Sequence, residues 1–245
     1  LRRRQRKMCI RDSPNITLKI AGKEFKNCYL KFSSIFSEEA WKLFKRKKLL
    51  IKEIAKTLTT AYDEGEYANL TGMYMIIPKD EKISLFYLLG LLNGKLLDFY
   101  FRSLYGATHM AGGYLRFNGS YLKELPIFIP SDYERQTIET LSKIIYNLKR
   151  LKLLSIFTKK TEIENIINKL KEILDACIYE IYFKEELETD FCRKIYYVIN
   201  KINGRGEDLK LERLSEEIKK LDPELLRILS HPLVKNIESK YGEVK

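Results

Sequence analysis

Two histidines and four cysteines are all that the 245 residues offer a soft metal ion. Cys9, Cys28, Cys177 and Cys192 are widely scattered and form no Cys-x-x-Cys pair. A zinc site is therefore not expected. The same scatter points to reduced thiols in a cytoplasmic protein rather than to a disulfide framework. No apolar run is long enough, or free enough of charge, to cross a bilayer. Acid is scarce too: 33 Asp and Glu stand against 45 Lys and Arg, a net charge of +12. Apolar residues are plentiful at 45%, which permits a real core and excludes wholesale disorder. The length suits one large or two small domains.

The basic excess is uneven. Residues 1–13 carry a net +5, residues 14–130 a net +6 and residues 131–245 a net +1. Leu1–Ser13, LRRRQRKMCIRDS, is unlike the rest, and MCIRDS resembles translated sequencing-adapter read-through. It is read as a non-native segment or a disordered basic arm; it has no signal-peptide core. A basic first half beside a near-neutral second half suggests a polyanion-binding lobe and a scaffold lobe.

Along the chain, Ile16–Ile20 and Phe25–Phe32 are β-prone, with a turn at Ala21-Gly22-Lys23. Ser37 followed by Glu38 and Glu39 marks a helix start. Lys42, Lys45, Arg46, Lys47, Lys48, Lys52 and Lys56 fall within fifteen residues, opposed only by Glu53. Such a cluster is either a solvated face or a phosphate-binding one. Leu49–Ala55, Thr57–Tyr62 and Gly72–Ile77 read as strands of a twisted sheet. Ile83–Leu104 reads as a helix with a broad apolar stripe, broken at Asn93-Gly94. Lys95 and Arg102 lie on its polar side. The loop Gly106–Gly113 is rich in small residues, and Leu125–Pro130 reads as a short extended edge segment.

A helix begins next, with Ser131 or Asp132 as N-cap. Ile138, Leu141, Ile145 and Leu148 step by three and four, as do Ile163, Ile167, Leu170, Leu174, Cys177 and Ile181. Two long packed helices follow from that spacing, with a turn over Thr158–Thr161. Further amphipathic helices fill 185–245, with a flexible break at Asn203–Gly206 and helix starts at Pro223 and Pro232. The fold class expected is α+β: a mixed α/β lobe over 14–130, then an all-helical lobe over 131–245 with a long helical hairpin.

Three pieces of the chain occur in a telling order: LLGLLNGKLL followed by FYF, then a glycine turn and GGYLRF, then YLKELPI. This order resembles the C-terminal target recognition domain of type IIG restriction–modification enzymes and related adenine-specific DNA methyltransferases. The resemblance covers about half of the chain and extends weakly to Leu49 and to Ile178–Phe183. It implies double-stranded DNA as ligand and a methyltransferase lobe as partner, in cis or in trans. S-adenosylmethionine would be the cofactor of the parent enzyme, with Mg²⁺ if a nuclease is fused; no cofactor is expected in this chain. The long helices are similar to the spacer helices of type I specificity subunits.

The resemblance also implies DNA-contacting residues. Strand side chains Lys56, Thr57, Thr59, Thr60 and Tyr62 are candidates for base contact. Lys45, Arg46, Lys47, Lys48, Lys52, Lys95, Arg102 and Lys123 are candidates for phosphate. The loop supplies Thr108, His109, Gly112 and Gly113, and the segment after it Tyr114 and Arg116. One face made of Lys45–Lys48 and Thr108–Arg116 is expected to carry the contact.

No catalytic site is legible. None of the six prolines is adjacent to another, so the Asn/Asp-Pro-Pro-Tyr/Phe turn that grips a flipped adenine is missing. A glycine-rich donor loop is missing too. Asp80-Glu81-Lys82, Asp208-Leu209-Lys210 and Glu217-Ile218-Lys219 match half of a nuclease motif, at a frequency expected by chance. Two other readings are a free-standing type I specificity subunit and a helical protein–protein scaffold that binds no DNA.

Overall fold

The computed structural model describes residues 17–20, 23–26, 37–68, 72–79, 84–106, 109–110, 112–154, 160–203, 216–217 and 219–242. Leu1–Ser13, Thr108, Thr158 and Lys159 of the predicted turn, and Gly204–Gly206 of the predicted break lie outside these residues. So do Asn27–Phe32, the far end of the second β-prone run.

The architecture is α+β, as the sequence suggests. Strands β1 (Thr17–Ile20) and β2 (Lys23–Lys26) pair antiparallel. Helix α1 (Glu38–Phe44) starts where Ser37 accepts the Ala40 N–H at 3.2 Å, a side-chain cap on an otherwise orphan donor. Next come β3 (Lys48–Lys52), β4 (Ile54–Ala55), β5 (Thr60–Asp63) and β6 (Met73–Ile76). β3 lies between β5 and β6, antiparallel to both. Consecutive residues of β3, Leu49, Leu50 and Ile51, are buried, although side chains alternate faces along a strand. Both faces of the central strand are thus covered.

Helices α2 (Leu85–Asn93) and α3 (Lys95–Tyr105) are split at Gly94, where an extended backbone ends one and begins the other. β7 (His109–Met110) and β8 (Tyr114–Arg116) form a hairpin, and β8 also pairs with β4. A short helix, α4 (Gly119–Leu122), follows. The predicted edge segment Leu125–Pro130 forms no strand. Side-chain hydroxyls hold it instead: Tyr182 donates to the Pro126 carbonyl at 2.6 Å and accepts the Phe128 N–H at 3.2 Å, while Tyr87 donates to the Phe128 carbonyl at 3.0 Å. A segment whose backbone is satisfied by side chains has no need of a sheet neighbour.

The helical part is built on α5 (Asp132–Leu154) and α6 (Lys160–Tyr182). Glu134 accepts from both the backbone N–H and the hydroxyl of Ser131, the Glu half of a capping box. α5 and α6 run antiparallel: Lys152 near the end of α5 pairs with Glu164 near the start of α6. α7 (Lys184–Leu187), α8 (Phe191–Asn203), α9 (Asp222–Ser230) and α10 (Pro232–Gly242) follow among the described residues. α2 packs on α5, and α3 packs on α6 and α10. One continuous apolar cluster therefore runs from Leu49 of β3 through Leu91 and Leu97 to Leu170 and Ile237.

Candidate nucleic-acid interface

Glu53 is the corner on which the candidate surface turns. Its N–H donates to the Gly72 carbonyl at 3.0 Å, and its carbonyl accepts the Phe117 N–H at 2.7 Å. The backbone that leaves β3 thereby crosses from the sheet of β5 and β6 into the sheet of β8 and β7. In this second sheet Ala55 and Leu115 are buried, while Ile54, Tyr114 and Arg116 are exposed. The strand period of two sorts them to opposite faces. Arg116 reaches back to Glu53 Oε1 through Nε at 2.9 Å and Nη2 at 2.8 Å, with 62% of its own side chain exposed. Such an exposed pair is worth little to stability and leaves the guanidinium accessible.

Gly112 and Gly113, between β7 and β8, have φ of 81° and 73°. A Cβ built on Gly113 would meet nothing within 4 Å. Conformation, not crowding, calls for glycine here, and the hairpin tip is bare backbone open to solvent.

Beside β4 lies the turn Lys56–Thr59. The sequence suggests a strand over Thr57–Tyr62, yet β5 begins only at Thr60. Leu58 is buried and draws the turn inward, leaving Lys56 exposed and Thr57 and Thr59 half-buried. Polar side chains from the end of α2 and from α3 hold this turn. The Leu58 N–H donates to Asp98 Oδ1 at 2.5 Å, and Arg102 Nε donates to Asp98 Oδ2 at 2.6 Å. Arg102 Nη2 also donates to the Lys56 carbonyl. Asn93 pairs with Thr60 in both directions, accepting its N–H at 3.1 Å and donating to its carbonyl at 3.0 Å. In the sequence Asn93 is singled out only as part of the helix break, and Asp98 is not. Their signal there is a polar side chain set into an apolar helix beside a glycine break.

The structure divides the face predicted from sequence. Lys45, Arg46 and Lys47 are exposed, but they precede β3, whereas Lys52, Lys56 and Arg116 gather beyond its far end. Four residue steps of strand separate Lys48 from Lys52, roughly 13 Å. In the first group Lys45 sits 4.6 Å from the Trp41 ring centre, Arg46 donates to the Pro78 carbonyl at 2.8 Å, and Lys47 lies 3.5 Å from Glu64, an exposed pair that leaves it as accessible as Arg116. Lys48 has no exposed surface and is paired with Asp63. Thr60 is buried, and Tyr62 packs against Phe86 and Tyr146 with its phenol pushed up to about 12, chiefly by burial.

Lys95 faces the helical part, 2.6 Å from Glu238 and 3.8 Å from Asp175. Arg102 is spent on Asp98 and Lys56. Lys123 is exposed just after α4. Thr108 lies outside the described residues, and of His109 the structure gives only its backbone place in β7, opposite Leu115. Among the described residues, Lys52, Lys56 and Lys123 pair with no carboxylate.

Two buried acids of α6 serve the scaffold. Asp175 Oδ1 accepts the Lys95 N–H at 3.0 Å at the start of α3, and Glu180 Oε2 accepts the Cys192 N–H at 3.1 Å at the start of α8. Each meets the positive end of a helix dipole and an orphan donor. Burial pushes both carboxyls up to about 7. Cys177 and Cys192 are buried free thiols. No group of three or more His, Cys, Asp or Glu among the described residues can hold a metal, and no helix there is long and apolar enough to cross a membrane.

Residues 17–127 match the TaqI-like C-terminal specificity domain family. The chain is also 30% identical, over 188 residues, to a putative type II restriction enzyme and methyltransferase of Methanocaldococcus jannaschii. That similarity covers 72% of this chain, a larger share than residues 17–127 make up, so it continues into the helical part. It covers only 14% of the relative's length.

Proposed function

With residues 17–127 similar to the TaqI-like C-terminal specificity domain, we infer that the chain is the sequence-specific DNA recognition module of a restriction–modification enzyme. The parent is a site-specific adenine DNA methyltransferase, cytoplasmic, with S-adenosylmethionine as methyl donor and Mg²⁺ as well if it carries a nuclease. The methyltransferase lobe is the partner of this module, joined to it or separate. Residues 14–130 recognise DNA and 131–245 serve as the helical scaffold.

The observation that carries this reading is the surface beyond β3. It sets the free lysines Lys52 and Lys56, the accessible Arg116, Tyr114 and the bare Gly112–Gly113 hairpin side by side inside the matched region. Lys52 supplies sequence-independent attraction to phosphate, and Lys56 can reach a base edge. An Arg can take guanine O6 and N7 together, and a Thr hydroxyl can take either kind of base edge. Exposed backbone N–H groups at a positive-φ turn suit a phosphate oxygen. Lys123 stands outside this group as a further phosphate contact.

Titrating the purified chain into a fluorescent 30-base-pair duplex tests the reading. The expected result is binding that weakens as salt rises and that a selected sequence strengthens. Binding that is absent at low salt would leave the helical scaffold reading in its place.

A further inference from the structure

The Lys56–Thr59 turn is held far more firmly than a surface turn requires. Its backbone is tied at Lys56, Leu58 and Thr60 by three side chains, Asn93 at the end of α2 and Asp98 and Arg102 one turn apart on α3. The acceptor at the centre, Asp98, is 2% exposed and divides its two oxygens between the Leu58 N–H and Arg102. A buried carboxylate is costly unless every lone pair is used well, and stability alone favours apolar groups in such a place. What this arrangement supplies is position. The exposed Lys56 and the half-buried Thr57 have no side-chain partner among the described residues, while the backbone that carries them is fixed.

We propose that Asp98, with Asn93 and Arg102, is a positioning latch that presents Lys56 and Thr57 to base edges and so sets sequence preference without touching DNA. The proposal rests on the DNA-recognition reading above. Reading a base edge needs the donor held within a few tenths of an ångström and the correct direction, whereas attraction to phosphate tolerates a mobile lysine. Loosening the turn therefore costs discrimination and spares general affinity. Arg102 belongs to this latch and not to the phosphate-contacting set, because its guanidinium faces Asp98 and the Lys56 carbonyl.

The test uses the full chain and a pool of randomised duplex DNA. Wild-type protein first selects its preferred sequence. Affinity for that sequence and for a scrambled one is then measured for wild type, Asp98→Ala, Asp98→Asn and Asn93→Ala, together with the salt slope and amide exchange at Leu58 and Thr60. The expected result for Asp98→Ala is faster exchange at Leu58, an unchanged salt slope, and a preferred-to-scrambled ratio reduced about tenfold. Asp98→Asn keeps an acceptor for Leu58 and recovers part of that ratio.

Asn93→Ala, at a more exposed position, shows the same loss in smaller degree and carries the test if Asp98→Ala does not fold. A full ratio in variants whose turn amides exchange fast overturns the latch alone. A parallel fall for preferred and scrambled DNA also overturns it, since that is what general destabilisation gives. If wild type selects no sequence, the DNA reading falls and the latch falls with it.

Discussion

Lys48 sits in the most basic stretch of the chain and yet has no contact with solvent. Its ammonium donates to the Phe44 carbonyl at 2.6 Å and pairs with Asp63, which also accepts the Glu66 N–H at 3.0 Å. Removing one partner of a buried pair strands the other charge. Lys48→Met is expected to destabilise the fold by about 3 kcal/mol, seen as a lower urea midpoint; an unchanged midpoint contradicts the buried pair. Nothing in KRKK announces which lysine turns inward. That choice depends on Asp63, fifteen residues away and next to it only because β3 and β5 pair in the register Lys48↔Asp63.

Asp175 gives a second prediction at this scale. Its folded-state carboxyl lies near 7 against an ordinary 3.8. Between those values the folded chain keeps a proton that the unfolded chain has lost, so stability falls as pH rises. The contribution is fully present below about pH 4 and is gone once pH passes through about 7. Lys95, Glu238 and Lys171 act on the same carboxyl, with burial the dominant cause. Asp175→Asn keeps an acceptor for the Lys95 N–H and should flatten the melting temperature between about pH 4 and about pH 7, leaving the smaller slope due to Glu180. An equally steep profile in the variant removes Asp175 as its source.

At the scale of elements, α2 packs closely against α5 at Gly90. A Cβ on Gly90 would stand 2.6 Å from Ser142 Oγ and 2.7 Å from Ile138 Cγ2 of α5. Gly90→Val should push α2 from α5 and cost about 3 kcal/mol as overpacking. Thermal unfolding measures it, and a melting temperature equal to wild type contradicts the close approach. The helix itself was legible: its apolar stripe and the Asn93-Gly94 break stand where the sequence puts them, because periodicity and glycine's weakness in helices are local properties. The seams of α5 and α6 were legible for the same reason. Residues 57–59 were misread as strand because β-branched residues favour strands, whereas here burial of Leu58 and its bond to Asp98, forty residues away, prevail. Leu125–Pro130 was misread as an edge for a like reason, since its partners are hydroxyls from Tyr87 and Tyr182.

For the whole molecule, the resemblance read from GGYLRF and YLKELPI is matched over residues 17–127, and the mixed α+β class holds. The candidate surface was legible in part. Lys52 ends β3 just before the bend at Glu53, and Arg116 stands opposite Ile54 just after it. Lys45–Lys47 do not join them, because a charge run says nothing about which end of a strand it will occupy. The core is continuous from β3 and β8 into α5 and α6, so the candidate surface is packed onto the helical part.

The central claim is that DNA binds beyond β3. It is tested most directly by the salt dependence of duplex binding in two multiple variants. Replacing Lys52, Lys56 and Arg116 by Ala should weaken binding and reduce the log–log salt slope by about 0.9 for each phosphate that is no longer neutralised. Replacing Lys45, Arg46 and Lys47 by Ala should change the slope far less. The reverse order, with the second variant losing the salt dependence and the first keeping it, would contradict the account and move the interface to the other end of β3.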